Sequence, residues 1–214
     1  MSLVMKDIKE IDKALATLSK SYFDETEQSV EEWLVEELPL AIKHLTDELL
    51  PLGPESFQSV CVDYHPPVVH RLWVKWGGKR IFLHKIEKCI PGEIALYHPH
   101  PWPSAVKVLK GEYEMGVGED GKDPKTTLLL KENSNYAMID PSGWHYVKPL
   151  SACYTIMITG KPYDANVLQA ANVKPGKGLR PLDNLTKSKL WIEFCNLLEV
   201  PISNQMLINL KEAI

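Results

Sequence analysis

The dipeptide Gly77-Gly78 sits between two runs of equal length, Val68 to Trp76 and Lys79 to Glu87, in which apolar side chains alternate with polar ones. Both glycines can take positive φ, so the pair closes a two-residue β-hairpin and fixes its register. That register sets Val74 opposite Ile81 and Leu72 opposite Leu83 on one face, with Trp73 opposite Phe82 and Arg71 opposite His84 on the other. The first face is aliphatic. The second is aromatic and basic, which suits the wall of a polar cavity better than open solvent.

The period of two continues from about position 60 to 160, with turn residues every eight to twelve positions, the pattern of an antiparallel barrel or sandwich. Strands are expected over Ile94 to Tyr97, Ala105 to Leu109, Tyr113 to Val117, Thr126 to Leu130, Tyr136 to Ile139, His145 to Lys148 and Cys153 to Thr159. Turns fall at Lys110-Gly111, Glu119-Asp120-Gly121 and Pro141-Ser142-Gly143. Much of the proline lies between positions 51 and 181, at the corners of this region.

Both ends read as helix. Val4, Ile8, Ile11, Leu15 and Leu18 form one stripe, and Val30, Leu34, Leu38, Ile42, Leu45 and Leu49 form a second, each at spacings of three and four. Ser29 and Glu32 have capping-box spacing, Pro39 should kink or split the second helix, and Pro51-Leu52-Gly53-Pro54 ends it. From Lys161 to Ser188 the chain is rich in Pro, Gly, Asn and Lys and reads as a loop wrapping the barrel. Two short helices follow, Lys187 to Glu199 and Asn204 to Ala213, the latter with Ser203 as N-cap. Residues 1–55 are thus a helical segment packed on the barrel, 56–164 the barrel, and 165–214 a wrapping loop with C-terminal helices of the same domain.

Composition excludes several roles. The 214 residues are 44% apolar with a formal charge of -4, and Lys and Arg are dispersed among carboxylates, so no basic patch addresses nucleic acid. No apolar run approaches the roughly 18 residues of a membrane span, and the start lacks the apolar core of a signal peptide. Cys61, Cys89, Cys153 and Cys195 stand far apart without a C-x-x-C pair, which suits reduced core thiols in the cytoplasm. A chain this long buries roughly 70% of its unfolded surface. It needs no metal to fold, so any metal serves chemistry.

Three of the seven histidines stand where such a metal can bind. His98 and His100 are one residue apart at a strand end, so extended backbone points both to one face. His145 enters a later strand after a proline-glycine turn. Imidazole suits Fe, Zn, Cu or Ni, and two ligands on one strand with a third on a neighbour form one face of an octahedron. H-x-H by itself also occurs as two hydrogen-bonded histidines. Tyr97, Trp102 and Trp144 flank the three and either wall an apolar pocket or fill core. Glu112 and Glu114 are carried away by the Gly111 turn, and His44, His65 and His84 have no partner at ligand spacing and read as structural or surface residues. Lys174, Lys177 and Arg180 read as a solvated loop.

His98-x-His100, followed by Gly111, and later Pro141-x-Gly143-x-His145, resemble the two motifs of the cupin superfamily. The resemblance implies a mainly β fold, a cupin-type double-stranded β-helix (jelly-roll) barrel, with His98, His100 and His145 as ligands of one metal. The usual glutamate position falls at Ser104 or Ala105, and one residue is missing between Gly143 and His145. A three-histidine set without the glutamate is that of the cysteine dioxygenase-like, or thiol dioxygenase, branch. The likeness to that branch extends from about 71 to 164: Arg71 and Gly78-Lys79; Val108-Leu109-Lys110-Gly111; the run from Glu132 to Asp140 with Gly143-Trp144-His145-Tyr146-Val147; Ile156-Met157-Ile158-Thr159; and Lys161-Pro162-Tyr163-Asp164. It implies that Arg71 binds the substrate carboxylate, against the alternative of a surface arginine paired to an acid. Where that family has a catalytic histidine and tyrosine, this chain has Met157 and Thr159, and the thioether-forming cysteine is Ala105.

The sequence is therefore identified with a metal-binding cupin, read as a mononuclear non-haem Fe(II) dioxygenase-like oxidoreductase acting on a small anionic substrate, a thiol or another chelating acid. Arg71, Trp102, Ser104, Met157 and Thr159 are the expected substrate contacts. Two alternatives stand beside it: a non-catalytic cupin that binds a small ligand, and a Zn-, Ni- or Mn-dependent isomerase or hydrolase. The expected partner is a small molecule, with neither nucleic acid nor membrane, in a monomer or homodimer.

Overall fold

A computed structural model describes residues 29–119, 121–163, 179–204 and 206. The stripe from Val4 to Leu18, the loop lysines Lys174 and Lys177, and nearly all of the helix expected over Asn204 to Ala213 lie outside these residues. The strands are β1 (Gln58–Val62), β2 (Val69–Trp76), β3 (Lys79–Ile86), β4 (His98–Pro99), β5 (Ser104–Lys110), β6 (Glu112–Glu119), β7 (Thr126–Lys131), β8 (Asn135–Met138), β9 (Gly143–Pro149) and β10 (Cys153–Thr159).

Gly77 and Gly78 both take positive φ, 51° and 81°, and β2 and β3 pair in the register that the Gly-Gly loop requires: Arg71 opposite His84, Leu72 opposite Leu83, Trp73 opposite Phe82, Val74 opposite Ile81. From β3 onward the strands form two antiparallel sheets, β3-β10-β5-β8 and β4-β9-β6-β7, with β2 and β1 extending the first beyond β3. Successive strands alternate between the sheets except at the β6–β7 hairpin. This winding is the jelly roll, the expected double-stranded β-helix barrel.

The two faces of the β2–β3 hairpin meet different neighbours. Leu72, Ile81 and Leu83, all fully buried, join Ile156 and Ile158 of β10 in a core against Trp33, Leu38, Ala41 and Leu45 and against Trp191 and Phe194. The opposite face turns into the barrel, where Phe82 packs with Val106, Val108, Met115 and Met157. The outer core is closed by helix α1, which runs over residues 30–49, and by α2 (Asn184–Leu197). Both helices begin on side-chain caps: Ser29 with Glu32 in a reciprocal capping box, and Asp183 accepting from the Thr186 N–H. Pro39 does not split α1, whose helical backbone continues through it. The turn ahead of it is widened, with the Leu38 N–H donating to the Trp33 carbonyl five residues back, and a widened turn makes room for a ring that has no N–H to give. The Trp191 indole N–H donates to the Leu50 carbonyl and ties α2 to the end of α1.

The strand expected over Ile94 to Tyr97 does not form. Its Leu96 N–H bonds to the Pro66 carbonyl and Ile94 is 86% exposed; pairing begins only at His98, opposite His145. Ser203 accepts from the Met206 N–H as an N-cap should. Arg180 is exposed and pairs with Asp63. All four cysteines are free thiols. Among the described residues no helix is long and apolar enough to cross a membrane.

The turn at Gly111 tests this account. Its φ is 86°, and an added Cβ would lie 2.7 Å from the Ala152 carbonyl oxygen and 2.8 Å from Cys153 Sγ. Gly111→Ala should cost about 2–3 kcal/mol of stability, from left-handed strain plus backbone displacement. Gly92→Ala, at φ 92° with nothing within 4 Å of the added atom, should cost only about 1 kcal/mol. Urea unfolding midpoints measure both, and equal losses would remove the contact part of the explanation.

Candidate metal centre

The two-residue pairing of β4 with β9 places His98 directly across from His145, and His100 follows two positions along the same extended segment. The His98 and His100 rings stack at 5.5 Å, while His145 stands 4.8 Å from the first and 4.6 Å from the second, nearly perpendicular to His100. One ring nitrogen from each lies within 4.8 Å of the others. His100 Nε2 and His145 Nε2 are 2.9 Å apart. Two nitrogens sharing a metal at right angles with bonds of ~2.1 Å would stand about 3 Å apart, so this spacing fits a common ion.

Protonation favours the same use. Burial lowers the pKa of His98 to about 4, against a weaker opposing pull from its bond to the Leu96 carbonyl, and burial pushes His100 and His145 well below the ordinary histidine value, with the neighbouring imidazoles adding to the effect. All three are neutral at pH 7 and offer lone pairs. A carbonyl only accepts, so His98 Nδ1, 2.9 Å from the Leu96 oxygen, carries the hydrogen and leaves Nε2 free as a ligand. Ser104 Oγ stands 3.4 Å from His100 Nδ1. His145 Nδ1 is enclosed without a hydrogen-bond partner and belongs to a ring that also borders a small cavity of about 50 Å³ reaching Asp140 and Trp144. The donor set thus fits a divalent transition metal held by His98, His100 and His145.

No carboxylate joins the three among the described residues. Ala105, at the usual glutamate position, packs in the outer core. Glu114 accepts the Tyr146 hydroxyl at 2.7 Å and does not line the site.

The histidines open onto a cavity of about 440 Å³ between the two sheets, the size of a small-ligand site. Val62, Val69, Ile86, Val106, Val147 and Met157 supply apolar wall; Arg71, His84, Thr155, Tyr64, Tyr136, His65 and Trp102 supply polar atoms; among the described residues no Asp, Glu or Lys lines it. Arg71 Nε is enclosed and unpaired, and burial pulls the guanidinium below its ordinary pKa while leaving it protonated at neutral pH. No carboxylate pairs with this arginine, which is therefore not the surface ion pair that the sequence left open.

Of the expected substrate contacts, Arg71, Trp102 and Met157 line the cavity. Ser104 is fully buried behind His100, and Thr159 shares the strand face of Met157 but lies beyond the cavity, opposite Arg80 and Ser104. Tyr97 and Trp144 pack on each other at 5.5 Å away from the cavity wall. His84 and His65, read from sequence as structural or surface residues, are cavity-lining. The signal for His84 was available: the hairpin register already put it beside Arg71. His44 stacks on Trp76 and pairs with Glu48, away from the site.

No protein-family model matches the chain, and no curated protein matches it in sequence. Among solved structures it is similar to hydroxypropylphosphonic acid epoxidase from S. wedmorenis, at 19% identity over 50% of this chain and 56% of that one, with a TM-score of 0.40. It is similar also to ectoine synthase from P. lautus, at 19% identity over 67% of this chain and 84% of that one, TM-score 0.37, and to a conserved protein of unknown function from Streptococcus pyogenes, at 18% identity over 47% and 79%, TM-score 0.35. The match spans little more than half the length of the epoxidase.

Freshly purified protein should carry up to one transition-metal ion per chain by mass spectrometry. His100→Ala and His145→Ala should carry none after metal loading and desalting, whereas His44→Ala should retain full occupancy. Undiminished metal in both site variants would place the ion elsewhere.

Proposed function

We propose that the protein is a mononuclear Fe(II)-dependent oxygenase of the cupin type that acts on a small anionic, metal-chelating substrate such as a thiol acid. One observation carries the reading: Arg71, its enclosed Nε without a partner, lines the same cavity as three neutral imidazoles, and among the described residues no acid stands on the wall. Neutral ligands leave a divalent ion's charge uncompensated, and Arg71 adds one more positive charge. An anion that chelates at one end and carries an acid at the other answers both.

An iron(II) ion held by His98, His100 and His145 would supply Lewis acidity and electrons for dioxygen reduction. The chain's own groups do the rest. Arg71 anchors the remote acid with charge-assisted hydrogen bonds and so fixes the substrate's orientation. Val106, Met157 and Trp102 cover its body and exclude water. For a thiol the overall change, RS⁻ + O2 → RSO2⁻, places both oxygen atoms on sulfur and closes without a further reductant. That balance suits a cavity with room for one small molecule.

Met157 and Thr159 stand where the resemblance places a histidine and a tyrosine, which favours a second reading, a binding protein that holds the same class of ligand without turnover. A third reading is a Zn-, Ni- or Mn-dependent isomerase or hydrolase, whose base would have to be His65 or His84, since among the described residues no carboxylate or lysine lines the cavity.

Protein loaded anaerobically with Fe(II) and mixed with oxygen should consume it in the presence of a thiol acid or diketone acid, and not with the matching amides. Arg71→Ala should raise KM for the acid roughly 30- to 150-fold, the loss of a charge-assisted pair of about 2–3 kcal/mol, with metal content unchanged; Arg71→Lys should recover part of it. Stoichiometric iron with no uptake across the panel, but tight ligand binding, would leave the binding reading in place of the oxygenase.

A further inference from the structure

One rung of the large sheet has no explanation in the metal site alone. Arg71 on β2 lies directly opposite His84 on β3, and His84 directly opposite Thr155 on β10, so three polar side chains form a continuous cross-strand row on the cavity face. His84 is 94% buried by its 6% exposure, and its Nε2, like Arg71 Nε, has no hydrogen-bond partner. Its Nδ1 is 3.3 Å from Thr155 Oγ1. Leaving two adjacent polar nitrogens unsatisfied in an enclosed place costs roughly 1–3 kcal/mol each unless something meets them. Neither satisfies the other. Thr155 Oγ1 can donate to Nδ1, and in that tautomer the hydrogen sits on Nε2. Two donors then stand side by side.

We infer that His84, held in this tautomer by Thr155, is the second donor of an anion subsite shared with Arg71, and that the subsite selects a carboxylate. The inference deepens the proposed function and rests on its reading of the cavity as a substrate site. One guanidinium beside a neutral imidazole matches a single negative charge; a phosphate dianion would call for a second cation, and among the described residues no lysine or other arginine lines the cavity. Two donors on directly opposed strands suit two oxygens of one planar group, and Ile86, Val106 and Met157 beyond them suit an aliphatic body reaching toward the histidines. Among the described residues no acid lines the wall, so no carboxylate of the chain competes with a ligand for Arg71.

The test uses the full chain, both Zn(II)-loaded and metal-free, titrated calorimetrically with butyrate and separately with inorganic phosphate. Butyrate should bind both forms and bind more tightly than phosphate. His84→Leu should weaken butyrate about 10-fold, and His84→Gln, whose amide places a donor near the Nε2 position, should return to within about 3-fold of the parent. Thermal melts establish that each variant is folded; should the leucine variant fail to fold, Thr155→Val serves in its place, with butyrate binding weakened about 3-fold and the His84 imidazole ¹⁵N resonances moved toward a mixed tautomer. Butyrate affinity independent of His84 in folded variants, phosphate binding more tightly than butyrate, or no butyrate binding would each overturn the assignment. Absence of oxygen uptake by the iron form, with His84-dependent butyrate binding intact, would remove the oxygenase reading and leave the subsite standing.

Discussion

The register of the β2–β3 hairpin is the constraint on which the rest of the structure depends. Side chains alternate across a sheet, so a slip of one residue would exchange the two faces completely. Arg71 and His84 would then meet Trp33, Leu38 and Phe194, and Leu72 and Leu83 would enter the cavity. Two glycines at φ 51° and 81° hold that register locally, and the helices hold it globally, because only the aliphatic face can pack against them. Leu72, Ile81 and Leu83 are each fully buried, and each contributes about 1.5–3 kcal/mol relative to exposure. That burial is large enough to offset the unfavourable enclosure of unpaired polar nitrogens on the other side of the same two strands.

The same opposition accounts for the placing of the ionic groups. Most ion pairs of the described residues lie at the surface, as Lys43 with Asp47, Lys125 with Glu119, Arg180 with Asp63 and Lys85 with Glu193, while the half-enclosed pair of Lys79 with Glu37 sits at Trp33 on the helix side. Such contacts contribute little. Inside the barrel the pattern reverses, with a guanidinium and five histidines around one cavity and no carboxylate among its lining residues. A buried cation without an acid is unfavourable for folding and favourable for binding an anion, since the ligand brings the missing charge. The three ligand histidines avoid the same cost by staying neutral, and neutrality is also what a metal requires of them.

The sequence made much of this legible, and the reasons differ by element. The Gly-Gly hairpin was readable to the residue because turn type and strand alternation agree. The capping box at Ser29 and the cap at Ser203 were readable because they are local. Strand spacing singled out His98, His100 and His145 as candidates and the resemblance strengthened the grouping, since the pairing that joins them, His98 with His145, spans 47 positions and just two residues of strand. Ile94 to Tyr97 misled because its apolar pattern reflects a covering segment bonded through Leu96 to Pro66, without a partner strand. Pro39 misled because the missing N–H was absorbed by one widened turn. His84 was overlooked through a search for ligand spacing along the chain, when its partners, Arg71 and Thr155, lie across the sheet.

The two sheets divide the chemistry between them. The smaller sheet presents His98 and His145 from β4 and β9; the larger presents Arg71, His84 and Thr155 from β2, β3 and β10. Neither sheet presents both sets of groups, so how far the three histidines stand from Arg71 and His84 is set by how the sheets pack face to face. That distance is fixed by the core residues between them, Phe82, Val106, Met115 and Met157, and not by any loop. A rigid gap of this kind measures the length of a substrate that must reach both ends. Met157 stands in the gap on β10, two residues from Thr155 on the same face. Its flexible thioether can follow an aliphatic body where a branched side chain could not. On the proposed reading, the chain length and the two ends of the substrate would be selected by different elements of one barrel.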